Sequence, residues 1–295
     1  MKAMAVRLTD RALLKVAGEE RAPFLQGLIS NDTRKLSPER ALFAALLTPQ
    51  GKFLFDLFLA EAGDAVWIDG EAARLADLKK RLSLYKLKAK VSIELAPDWI
   101  VVAAFGPDAP AKLGLGEAGQ AKPFAGGIAF ADPRLAEAGL RLILPAPGGL
   151  APLVALGFAE GSAADFRAHR YRLGLPEGSA DQALEKDVLL ELGYDELNGV
   201  DFDKGCYMGQ ELTARTKYRG LVKKRLVPVT IDGPQPPPGS PIVQDGQEAG
   251  ELRVAENGLG LALIRLEKLD SSGSFECEGA KLAALRPAWY KSPAV

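Results

Sequence analysis

The run Asp232-Gly233-Pro234-Gln235-Pro236-Pro237-Pro238-Gly239 constrains this chain more than any other stretch. Proline removes a backbone donor and fixes φ, so the run is neither helix nor central strand. After it come only short strand-like stretches with glycine turns, at 241–243, 250–254, 260–264 and 277–284. That pattern suits a small antiparallel β-barrel or sandwich.

The chain before the break is different. Residues 5–16 read as two short strands with a turn at Thr9-Asp10, and 18–29 as an amphipathic helix with Ala22, Leu25, Leu28 and Ile29 at helical spacing. Strands are expected at 41–48, 52–60 and 65–69, with Thr48-Pro49-Gln50-Gly51 as the turn between the first two. Residues 71–88 form a helix with Leu75, Leu78, Leu82 and Tyr85 on one face and a heavily charged opposite face. Strands follow at 91–95, 99–105, 128–130 and 140–144, with an irregular surface connection over 113–127 and a further helix over 163–173. Strand pairs with helices, in place of an alternating βαβ series, point to α+β units with antiparallel sheets. The fold class expected is α+β, with two such N-terminal units and a small C-terminal antiparallel β-barrel. The divisions fall at 1–95, 96–222 and 223–295, and a length of 295 residues suits two or three domains.

Several functions are disfavoured by composition. The net charge of −1 supplies no global field for nucleic acid or membrane, so neither is expected as a partner. No apolar run is long enough to span a bilayer. Cys206 and Cys277, far apart in sequence, do not make a disulfide framework, and a reducing compartment follows, with the cytoplasm the simplest choice. No secretory h-region or arginine-rich presequence is visible near the start. His169 is the single histidine and sits in a basic helical segment, so a Ser-His-Asp or Cys-His device has poor material. One histidine and two distant cysteines cannot close a zinc site or hold a whole iron–sulfur cluster, and no metal site is expected.

The stretch that does not read as core packing is Lys204-Gly205-Cys206-Tyr207-Met208-Gly209-Gln210-Glu211. Its two glycines permit a tight turn or close approach to a ligand. Good helix formers follow from Gln210, so backbone amides at a helix start face Cys206 while Lys204 adds positive charge, and both favour thiolate. The bland alternative is a small buried cysteine in a turn. From Asp201 to Arg225, seven basic residues stand against three acids, a seat for an anionic tail or an acidic partner, or else a solvated face. Cys277 lies between Glu276 and Glu278, which disfavours a thiolate, and reads as structural.

The segment from Leu197 to Thr216 resembles the signature of the YgfZ family of folate-binding proteins, related to the T-protein (aminomethyltransferase) of the glycine cleavage system. That family includes mitochondrial proteins that help mature iron–sulfur enzymes. The resemblance is densest between Gly174 and Arg225 and extends over most of the chain. It implies tetrahydrofolate as the cofactor, in a cleft between the N-terminal units and the barrel. It implies Asn31, in the Asn-Asp after the first helix, as a ligand contact, with Lys204, Tyr207, Gln210 and Arg215 of the signature beside it. A carboxylate ahead of the signature contacts the pteridine ring in such proteins. Glu191 is the first choice here and Asp195 the alternative, since a carboxylate accepts paired N–H bonds from the amino-pyrimidinone edge. Arg134, in a recurring Asp-Pro-Arg turn, is expected to brace that turn.

Three readings follow. In the first, the chain is a folate-binding accessory protein for iron–sulfur cluster assembly or repair. Cys206 lends it a thiolate, and its partners are assembly or client proteins. The second is tetrahydrofolate-dependent one-carbon (aminomethyl) transfer, with Asp56 as the acid or base in an otherwise apolar strand. T-proteins resemble that strand but carry two adjacent aspartates where this chain has Phe55-Asp56. The third is an interaction module without a ligand.

Overall fold

In this computed structural model residues 2–271 and 273–291 are described. The chain packs into two compact units, each drawn from separate stretches. One comprises residues up to Leu47, Leu54–Phe166 and Leu197–Met208; the other comprises Thr48–Phe53, Arg167–Glu196 and the chain from Gly209.

The first unit is built on two sheets. The five-stranded sheet has the order Leu42–Leu47, Phe53–Ala62, Ala65–Glu71, Arg11–Ala17, Ser92–Leu95. Its helix, Leu75–Lys86, lays Leu75, Leu78 and Leu82 into a core with Leu14, Val16, Leu57, Leu59 and Ile68. The six-stranded sheet runs Ala159–Glu160, Met4–Arg7, Trp99–Phe105, Leu140–Pro145, Gly127–Ala131, Ala121–Phe124. Only its first pair is parallel. A second core, including Val102, Ala104, Leu140, Leu142, Leu144, Leu153 and Phe158, covers its other face.

Strands buried on both faces lose the period-two pattern. In Phe53–Ala62 the first eight residues are all buried. Phe55, Leu57 and Leu59 enter the helix-side core. Asp56 shares the opposite face with Phe58, and there charge fills space that hydrocarbon usually fills. Arg11 Nη1 donates to Asp56 Oδ2 at 2.9 Å and its Nε to Asp69 Oδ1 at 2.7 Å. Arg141, on the other sheet, donates from Nε to Asp69 Oδ2 at 2.5 Å. Phe58 presents its ring to Arg141, Arg134 and Arg11 at 3.7, 4.7 and 5.5 Å from the centroid.

The second unit carries a closed antiparallel barrel. Its strands are ordered Lys224–Asp232, Leu259–Arg265, Gln247–Glu256, Pro241–Gln244, Phe275–Cys277 and Ala280–Ala284, returning to the first. Val227, Val229, Ile242, Leu252, Ala262, Ile264, Cys277 and Leu282 form its interior. Bulges at Ile242/Val243 and Leu252/Val254 bend the strands toward closure. The architecture is therefore α+β with a small C-terminal antiparallel barrel.

Departures from the sequence expectation have local causes. The first helix is Arg21–Gln26 and stops at Gly27, because Ile29 and Ser30 leave to bond with the strand at Leu46 and Ala45. The stretch over 113–127, expected to be irregular, contributes an edge strand at Ala121–Phe124. Tyr85 does not join Leu75, Leu78 and Leu82 but stays 44% exposed. Gly127 shows why a small residue opens its strand: a Cβ there would lie 2.0 Å from the Ile143 carbonyl oxygen. Gly127→Ala is expected to cost about 1–3 kcal/mol in a urea melt, as overpacking does. Among the described residues no helix is long and apolar enough to cross a membrane.

Candidate functional site

The signature runs from the first unit into the second. Its first part, Leu197–Met208, is held by side chains and backbone around the helix Arg21–Gln26. Asp201 N–H donates to Ser30 O at 3.0 Å and Met208 N–H to Gly27 O at 3.0 Å. Ser30 Oγ donates to Gly199 O at 2.6 Å. Lys204 is 5% exposed, and its ammonium donates to the carbonyls of Gln26 and Ile29 at 2.5 and 2.7 Å. Gln26 Nε2 returns a bond to Lys204 O at 3.1 Å. Burial lowers the Lys204 pKa to about 8, against the opposing pull of Asp32 and Asp201. The Lys204 ammonium also lies 4.7 Å from the Tyr207 ring centroid, and Tyr207 is half-buried.

The lysine thus serves first as an anchor. The chain then turns at Gly205, with φ of 88°, and presents Cys206 as an exposed free thiol. Cys277, the other cysteine, is buried in the barrel, where burial and then Glu278 push its thiol upward.

Asn31 stands in the same unit and is 7% exposed. Its amide nitrogen donates to Phe43 O and to Asn198 O, both at 2.7 Å, and its Oδ1 accepts from Asp32 N–H at 2.8 Å. It ties the signature to the strand Leu42–Leu47, and it lines a cavity of about 450 Å³ with Lys35, Arg40, Phe43, Asn198 and Asp201. That volume falls in the range of small-molecule pockets. Lys35 pairs with Asp201 at 2.5 Å on its wall. Asp56 belongs to the buried network with Arg11 and lines none of the described cavities. Arg134 braces its turn: it donates from backbone N–H, Nε and Nη2 to the Asp132 carboxylate at 2.9, 3.0 and 2.7 Å.

The remaining candidates lie in the second unit. Glu191, on the 3-10 turn Leu189–Leu192, accepts from the backbone N–H groups of Lys223 and Lys224, while burial raises its carboxyl above the usual range. Asp195 accepts from Lys217 Nζ at 2.9 Å through Oδ2, and its buried Oδ1 has no hydrogen-bond partner among the described residues. Gln210 opens the helix Gln210–Tyr218, behind Gly209 at φ of 79°. Arg215 on that helix pairs with Glu211 at 2.6 Å and is exposed.

The basic strip is not one open surface. Lys204 is an anchor, Arg215 and Lys217 have carboxylate partners, and Arg225 is buried against Glu196 and the Leu190 carbonyl. Two features carry no local signal in the sequence. Arg11, which pairs with Asp56, lies 45 positions from it, and Asp69 lies 58 and 72 positions from its partners Arg11 and Arg141, so nothing local marks the network. The second is the Asp195 oxygen without a partner among the described residues, a matter of burial that spacing alone does not reveal.

Comparison with known proteins gives three results. The family described as the CAF17 C-terminal beta-barrel domain matches residues 223–292. The chain is 34% identical to the mitochondrial iron-sulfur cluster assembly factor IBA57 of Mus musculus, over 98% of this chain and 86% of that protein. It is 35% identical to the Homo sapiens protein of the same description, over 96% of this chain and 84% of that protein. Among solved structures, the glycine cleavage system aminomethyltransferase T from Bartonella henselae superposes with a TM-score of 0.79 at 15% identity, over 98% of this chain and 86% of that one. At that identity the likeness is one of fold. The expectation of a cytoplasmic protein is corrected here, since these relatives are named as mitochondrial. The two separate thiols speak for a reducing medium, and such a medium is not peculiar to the cytoplasm.

Proposed function

The chain belongs to the CAF17/IBA57 family of iron–sulfur cluster assembly factors, and from that premise we propose that it is a tetrahydrofolate-binding assembly factor acting through Cys206. The observation that carries the reading is the exposed thiol of Cys206 beside a buried, doubly bonded Lys204. A thiol on an anchored turn is preorganised to meet iron, which thiolates ligate. The second cysteine is buried in the barrel, so the further ligands of any cluster come from an assembly or client protein. The resemblance of Leu197–Thr216 to the YgfZ signature supports the folate part. The mitochondrial relatives support action in a mitochondrial-type compartment.

For the ligand, Asp195 is favoured over Glu191. Among the described residues its buried Oδ1 lacks a donor, whereas Glu191 already accepts two backbone N–H groups. An amino-pyrimidinone edge supplies the missing donor. Asn31, with its cavity, and the signature residues Tyr207, Gln210 and Arg215 remain proposed contacts, and Lys204 acts through the anchor. The aminomethyl-transfer reading ranks second, since Asp56 is engaged by Arg11 in a buried network.

Tetrahydrofolate titration of wild type, Asp195→Ala and Cys206→Ser, with a parallel assay of iron–sulfur enzyme activation, tests the proposal. Wild type is expected to bind saturably and Asp195→Ala to bind about 10- to 100-fold more weakly, the worth of hydrogen bonds to a charged group. Cys206→Ser should bind folate like wild type and fail to support activation. Absent binding by wild type would remove folate, and full activity in Cys206→Ser would remove the thiol.

A further inference from the structure

The net charge of −1 hides one local concentration of cations. The segment Lys79-Lys80-Arg81-Leu82-Ser83-Leu84-Tyr85-Lys86-Leu87-Lys88-Ala89-Lys90 carries six of them. It includes the last two turns of the helix Leu75–Lys86 and the loop beyond. The helix is seated by Leu75, Leu78 and Leu82, and after Leu82 the apolar side chains no longer face the core. Leu84 is 67% exposed, Tyr85 44% and Leu87 88%. Leu87 caps the helix at φ of 45°, a conformation that branched side chains rarely take. Among the described residues, Arg81 pairs with Asp77 and Lys90 with Glu19, while no ion pair engages Lys79, Lys80, Lys86 or Lys88. Lys80 stands one helical turn before Leu84.

We infer that this helix end is a docking surface for an anionic phospholipid bilayer, with Leu84, Tyr85 and Leu87 entering the interface and the unpaired lysines meeting headgroup phosphates. Three observations favour lipid over an acidic protein. The cations are five lysines and one arginine, and protein interfaces are depleted in lysine and enriched in arginine. Leucine and aromatic side chains among lysines are the composition of segments that lie in a membrane interface. The apolar groups also protrude, and no residue from 79 to 90 lines any of the described cavities. A protruding, lysine-ringed group of this kind suits a fluid surface better than a fixed receptor. The low chain-wide charge gave no reason to expect membrane contact, because the patch is local.

Vesicle flotation with the full chain tests this inference. The probes are vesicles of phosphatidylcholine alone and of phosphatidylcholine mixed with phosphatidylglycerol. Wild type is expected to float with the mixed vesicles, to remain behind with the neutral ones, and to be released by salt. Leu84→Ser/Leu87→Ser should weaken binding at least about tenfold. Lys80→Gln/Lys88→Gln should weaken it about 30-fold, from the usual worth of two lysines near an anionic surface. All four positions are exposed, and unchanged circular dichroism and melting would confirm folded variants. No flotation of wild type, or equal flotation of wild type and both variants, would overturn the inference. Retention on immobilised poly-glutamate without vesicle binding would assign the surface to an acidic protein and overturn it as well.

Discussion

Replacing Asp69 by alanine is expected to cost about 3–5 kcal/mol, the typical penalty for breaking a buried ion pair from one side. Asp69 is fully buried and receives Arg11 through Oδ1 and Arg141 through Oδ2. Arg11 Nη2 also donates to the Asp69 carbonyl at 3.0 Å, so the side chain is held from several directions. Without the carboxylate, Arg141 loses this partner, and Arg11 keeps Asp56 alone among the two acids. Domains of this kind have about 5–15 kcal/mol in hand, so the change brings the fold close to its limit. Urea unfolding checks it, with a lower midpoint at unchanged m expected. Asp69→Asn keeps the volume and removes the charge. A loss shared by both variants assigns the effect to charge, and a loss below about 1 kcal/mol in both would show that the two sheets do not depend on this contact.

The second large effect is at Lys204. Lys204→Met keeps much of the side-chain volume but strips the donor from the carbonyls of Gln26 and Ile29. Each buried acceptor left open costs about 1–3 kcal/mol, and relief of the ammonium's burial offsets part, leaving a net loss of about 2 kcal/mol. The pH dependence separates the two contributions. The folded pKa of Lys204 is lowered to about 8 from 10.5, so within that interval the unfolded chain holds more protons than the folded one. Its contribution to stability therefore grows as pH rises through the interval, by up to about 1.4 kcal/mol per unit. Wild type should gain stability over Lys204→Met between about 8 and 10.5. Parallel denaturation curves of constant separation across that range would rule out a titrating Lys204. Tetrahydrofolate binding and enzyme activation in the same variant show whether the anchor matters to Cys206.

Much of the architecture was legible because it rests on periodicity and breakers. The proline run ending at Gly239 separates the strands of the barrel that follow it from Lys224–Asp232, which precedes it. Val227 and Val229, two apart on that strand, both enter the barrel core. Patterning failed where a residue answers to a distant partner. Asp56 drew attention as an acid in an apolar strand, but its explanation is Arg11, 45 positions away. Tyr85 fits the helical stripe, yet the helix outruns the surface it packs on. In the sequence Lys204 stands as a charge two positions from Cys206, and the fold uses its ammonium to fill two carbonyls. The sequence favours Glu191 over Asp195, and the packed structure reverses that order. Glu191 already receives two backbone donors from Lys223 and Lys224, whereas Asp195 receives Lys217 on one oxygen, and neither arrangement is readable from composition.

The anchoring of Leu197–Met208 against the helix Arg21–Gln26 also sets the timing of assembly on the ribosome. The first unit draws its opening stretch from residues up to Leu47 and its last from Leu197–Met208. During vectorial synthesis, the carbonyls of Gln26 and Ile29 wait for a lysine made roughly 175 residues later. Until that residue emerges from the exit tunnel, the N-terminal sheets fold without their last segment. A stalled or truncated nascent chain ending before Lys204 would present an unfinished surface to chaperones and proteases. Quality control would thus reject the incomplete chain at the same place where the finished protein carries Cys206.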